Sequence, residues 1–82
     1  MDYTEEELGE IFTLMQTVID HATGRYADYA KTYAEASLEA FVRYGNEGLE
    51  HQIPYVLANL SGWRGELARE TKAALKKFNR YC

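Results

Sequence analysis

The chain has 82 residues, 46% of them hydrophobic and 27% charged, with a formal net charge of −4. One domain over residues 1–82 is expected at this length, and the apolar fraction excludes a disordered body. A single proline, no β-branched run and abundant Ala, Glu, Leu and Lys argue against an all-β fold. No apolar stretch approaches the ~20 residues a membrane span needs, and the acidic start lacks a signal-peptide core. A cytoplasmic protein with no membrane partner is therefore expected.

The first helix is predicted from Glu5 to Ala22. Thr4 and Glu7 have the capping-box spacing, in which each side chain satisfies the other's free backbone donor. Glu5, Glu6 and Glu7 also suit the positive end of the helix dipole. Leu8, Ile11, Phe12, Met15, Val18, Ile19 and Ala22 recur at helical steps and form one buried stripe. Gly24 is the expected stop.

A second helix is predicted from Arg25 to Tyr44. Its stripe is Tyr26, Ala30, Tyr33, Ser37, Ala40, Phe41 and Tyr44, widened by Leu38 and Val42. Small Ala and Ser among large Tyr predict close approach of another helix on one side. Gly45 to Gly48 should end it.

The third helix is expected to end near Leu60, with Leu49, Ile53, Val56, Leu57 and Leu60 inward. Pro54 lacks a donor and crowds the preceding turn, so either the helix starts near Gln52 after a loose turn over residues 47–51, the preferred reading, or a longer helix from about Leu49 kinks there. A fourth helix is predicted from Trp63 to Asn79, with Leu67, Thr71, Ala74, Leu75 and Phe78 inward. Ser61-Gly62 is the preferred break, with Ser61 as N-cap. The rival is one helix running through both glycines, at ~1 kcal/mol each relative to Ala.

Charge is segregated along the chain. The first 22 residues hold six acids and no Lys or Arg, whereas residues 59–80 hold six of the nine basic residues. Arg69, Lys72, Lys76 and Arg80 fall three or four apart and share one face of the last helix. Such a face is ordinarily solvated; it can also engage an acidic protein or phosphates. The net negative charge disfavours the nucleic-acid reading. The acids of the first helix serve capping and solubility, or pair with the basic stripe within the chain or across a dimer.

Seven tyrosines form the second distinctive set, with Tyr26, Tyr29 and Tyr33 on adjacent turns. They either fill the edge of a small core or supply a protein interface. Trp63 with Arg64 reads either as a core anchor or as a binding hot spot.

Catalytic chemistry has little support. His21 and His51 sit in separate segments, and no metalloprotease, nucleophile-elbow, P-loop or dinucleotide motif occurs. One Cys, Cys82, and two His do not complete a zinc site, and a lone Cys forms no internal disulfide. No cofactor, metal or small-molecule substrate is expected.

The segment containing Tyr55-Val56-Leu57, Asn59-Leu60, Trp63-Arg64-Gly65-Glu66 and Ala68-Arg69-Glu70 resembles short helical proteins of phages, prophages and other mobile elements. The resemblance covers roughly 30 residues of the C-terminal stretch and implies no activity or cofactor. It implies a chain that binds and blocks a host protein, such as a defence nuclease.

The expectation is an all-α fold, a compact bundle of three or four helices. The expected function is non-enzymatic protein binding, with self-association as a homodimer among its forms. Candidate contact residues are Arg64, Arg69, Lys72, Lys76, Arg80, Tyr26, Tyr29, Tyr33 and Trp63. A nucleic-acid-binding module on the basic face is the alternative, and a structural or assembly subunit is the third reading.

Overall fold

The computed structural model describes residues 2–80; Tyr81 and Cys82, both noted in the sequence, lie outside them. Four helices follow in order: α1 (Glu5–His21), α2 (Ala27–Tyr44), α3 (Asn46–Ala58) and α4 (Glu66–Phe78). Contacts join α1 to α2, α2 to α3, α3 to α4 and α4 back to α1. The helices thus close a ring around one core, an all-α four-helix bundle.

Helix α1 begins as its sequence predicts. The Glu7 amide donates to Thr4 Oγ1 at 3.1 Å, and the Thr4 amide donates to Glu7 Oε1 at 2.8 Å. Ile11, Met15 and Val18 are fully buried, and Phe12 meets Phe41 of α2 edge-on at 5.0 Å.

Helix α2 buries a face of small residues, namely Ala27, Ala30, Ala34 and Ser37. The Ser37 hydroxyl donates to the Ala34 carbonyl at 2.6 Å, which lets a polar side chain stand in the core. Of the large residues expected on that stripe, Tyr33, Leu38 and Phe41 pack at the edge of the core, while three lie outside it. Tyr26 is 40% exposed, Tyr44 71% and Val42 84%. The fully buried positions of α2 are accordingly small, and its rings sit at the edges of the core.

The closest approach is between α2 and α3. Gly48 is buried in α3 against Ala40 of α2. A Cβ on Gly48 would lie 2.9 Å from the Ala40 carbonyl carbon and closer still to its oxygen. Along the same seam Tyr33 stacks on Tyr55, with centroids 5.4 Å apart. At its end Gly24, with φ +105°, crosses Gly62. The two helices therefore run antiparallel, joined by Gly45 alone.

This seam corrects the predicted start of the third helix. Helix α3 begins at Asn46, not near Gln52, and Pro54 stands inside it. Interior proline costs ~3 kcal/mol through its lost bond and steric conflict. Burial of Leu49, Ile53 and Val56, all fully enclosed, offsets that cost. The Asn46 side chain also accepts the Tyr3 amide at 2.9 Å, fixing the first turn.

Helices three and four are separate, but the break is wider than the sequence implies. Residues 59–65 are non-helical, so Trp63 precedes α4 instead of opening it. Gly65 (φ +109°) holds the N-cap position, not Ser61, and no side chain caps there. The inward face of α4 is Ala68, Thr71, Leu75 and Phe78. Leu67, expected inward, is 44% exposed. Tyr3 then closes the ring: its hydroxyl donates to the Phe78 carbonyl at 2.6 Å, and its ring meets Phe78 edge-on.

Gly48→Ala is expected to lower unfolding stability by ~1–3 kcal/mol, since the added methyl meets backbone. Tyr3→Phe should cost ~1 kcal/mol by leaving the buried Phe78 carbonyl unpaired. Urea unfolding followed by circular dichroism measures both; unchanged midpoints would refute these contacts.

Candidate partner-binding surfaces

Two surfaces emerge from this scaffold, and they divide the sequence-predicted contact residues unequally. The first is the α2–α3 seam. Tyr26, Tyr29 and Tyr33 lie at three- and four-residue steps, so they share one side of α2. Tyr29 is 62% exposed, and Tyr55, across the seam on α3, is 55% exposed. The Arg25 guanidinium lies over the Tyr26 ring at 5.6 Å, a cation–π contact.

Beyond the Tyr33–Tyr55 stack the seam dips. Ala40 and Gly48 floor a depression of ≈ 340 Å³, edged by Tyr44, Glu47, His51 and Gln52. Small residues at the helix contact create this dip, and tyrosines stand on both sides of it along the helices. Tyr55 and Tyr44 were not singled out as contact residues in the sequence. Tyr44 shares the α2 stripe with Tyr33, but the cross-seam relation of Tyr55 to Tyr33 becomes visible only once Gly48 sets the register of α3.

The second surface is the basic face of α4, and the structure splits it. Lys72 Nζ donates to the Trp63 carbonyl at 2.7 Å and the Leu60 carbonyl at 3.2 Å. It ties down the 59–65 segment, a structural role that sequence spacing could not reveal. Arg80 lies beyond the end of α4; its guanidinium is 4.1 Å from the Tyr3 ring centroid and 3.7 Å from Glu50 Oε1. Arg69 and Lys76 remain outward, with Arg64 exposed on the loop before α4. A cleft of ≈ 420 Å³ between α3 and α4 is lined by Leu57, Ser61, Arg69, Lys72, Ala73 and Lys76.

Trp63 offers no face to a partner. It is 4% exposed and packs in the core, so the anchor reading holds and the hot-spot reading does not. Among the described residues, no group of three or more His, Cys, Asp or Glu is placed to hold a metal ion. No helix among them is long and apolar enough to cross a membrane.

No protein-family model, curated protein or solved structure matches this chain.

Lys72→Ala should lower stability by ~1–3 kcal/mol, because two loop carbonyls lose their donor. Arg69→Ala and Lys76→Ala should each change it by less than ~0.5 kcal/mol, as exposed groups do. Urea midpoints distinguish the two classes, and equal effects at all three positions would refute the division.

Proposed function

We propose that this chain is a non-enzymatic binding protein that acts through protein–protein contacts, with the α2–α3 seam as its contact surface. The observation that carries this reading is the line of Tyr26, Tyr29, Tyr33 and Tyr55 along one seam, with Tyr44 at the edge of the Ala40–Gly48 depression farther along it. Scattered exposed apolar residues are normal on a monomer; several together are not. Tyrosine suits this use, since it buries a large ring at little rotamer cost and keeps a hydroxyl for the partner. The Tyr33–Tyr55 stack restricts both rings before any partner arrives, which lowers the entropy lost on binding. The depression would take a protruding apolar side chain of the partner, with Glu47 and His51 at its rim.

The resemblance read from the Tyr55–Glu70 motifs to small proteins of mobile elements favours a role in which the chain occupies and blocks another protein. The nucleic-acid alternative is weakened. Two of its four cations, Lys72 and Arg80, have partners inside the fold, leaving Arg69 and Lys76 against a net charge of −4.

Tyr29→Ala with Tyr55→Ala should remove binding of a captured partner by at least ~100-fold, as loss of two central aromatic anchors does. The folded state should survive, with a thermal midpoint within a few degrees of wild type. A double variant that folds and still binds the partner as tightly as wild type would refute this surface. Salt-dependent binding to duplex DNA at the wild-type level would favour the nucleic-acid reading instead.

A further inference from the structure

The opposite charges of this protein are not neutralised within it. Glu5, Glu6 and Glu10 are exposed on α1, and Arg69, Lys76 and Lys77 are exposed on α4. None of the six takes part in an ion pair among the described residues, where the pairs formed are His51–Glu47 and Arg80–Glu50. Pairing of the two helices inside the chain, one of the expectations from sequence, therefore does not occur at these positions.

The outer face of α1 is also shaped for close contact. Glu6, Gly9, Glu10, Thr13 and Thr17 lie opposite the buried Ile11, Met15 and Val18. Thr13 and Thr17 turn their hydroxyls back onto the Gly9 and Thr13 carbonyls, at 3.0 and 2.9 Å. Nothing lies within 4 Å of the place a Gly9 Cβ would occupy, so no contact inside the chain calls for glycine there. What remains is a smooth ridge of small residues bordered by carboxylates.

The α3–α4 cleft has the complementary form. Leu57 and Ala73 give it apolar lining, and Arg69, Lys72 and Lys76 supply positive charge along its α4 side. Arg69 and Lys76 are seven residues apart, about 10 Å along the helix, and Glu6 and Glu10 are about 6 Å apart. Long basic side chains span that difference. We propose that this cleft receives the outer face of α1 from a second copy of the chain, with Arg69 and Lys76 set against Glu6 and Glu10.

The two surfaces are different patches, so the contact is head-to-tail. Each added copy still presents a free α1 or a free cleft, and assembly continues past the dimer unless a ring closes. Exposed ion pairs make the association weak and sensitive to salt. The contact is separate from the tyrosine seam and stands or falls independently of it.

Sedimentation velocity of the full chain across a concentration series, in about 50 mM and about 500 mM NaCl, tests the proposal. The wild type should grow in mass with concentration at low salt and return to monomer at high salt. Arg69→Glu with Lys76→Glu, or Glu6→Lys with Glu10→Lys, should each weaken association at least about tenfold with unchanged helicity. An equimolar mixture of the two double variants should associate again, because each supplies the charge the other lacks. A wild type that stays monomeric throughout, reversal variants that associate as well as wild type, or a mixture that stays monomeric would each overturn it. Tyr29→Ala with Tyr55→Ala should self-associate like wild type; loss of association there would move the contact to the tyrosine seam and overturn this one.

Discussion

The approach of α3 to α2 at Gly48 governs most of what this bundle presents to its surroundings. Bare backbone against the Ala40 carbonyl brings two helices together at a separation no larger residue would allow. The inward face of α2 is accordingly Ala27, Ala30, Ala34 and Ser37. Large apolar volume is supplied from the other helices, by Ile11, Met15, Leu49, Ile53 and Leu75, and from the loop after α3 by Leu60. The tyrosine rings carried by α2 and α3 are displaced to the rim of their contact, which leaves Tyr26, Tyr29, Tyr44 and Tyr55 exposed. The packing constraint and the candidate binding surface have the same origin.

That constraint also explains how an interior proline survives. A helix judged from its own sequence should not run through Pro54, since the local conflict exceeds any propensity gain. Burial of Gly48, Leu49 and Ile53 before it and of Val56 after it requires helical geometry on both sides. Tertiary contacts outweigh the local preference. The same competition moved the start of α4, where Trp63 is drawn into the core from a non-helical segment and leaves Glu66 to open the helix.

Much of the architecture was legible in the chain itself. Hydrophobic spacing located α1 with its capping box, α2 with its small inward residues, and the interruption between α3 and α4. Spacing along one helix says which residues share a face, and Tyr26, Tyr29 and Tyr33 do. It says nothing of what lies opposite, so Tyr55 joined the seam only in three dimensions. The basic stripe failed in an instructive way. Arg69, Lys72, Lys76 and Arg80 are periodic, yet Lys72 bends to loop carbonyls and Arg80 turns to Tyr3 and Glu50. Long flexible side chains find partners that periodicity cannot register.

The bond from Tyr3 to Phe78 joins residues 75 positions apart, whereas α2 and α3 meet across a single glycine. These two contacts belong to opposite ends of the folding reaction. Hairpin closure over so short a connection has little loop entropy to overcome, so the α2–α3 pair is the natural nucleus. The Tyr3 latch can form only after both terminal helices have docked. Changes at Gly48 therefore act mainly on the folding rate, while changes at Tyr3 act mainly on unfolding. The persistence time of the native bundle is thereby set at its last-formed contact, not at its tightest one.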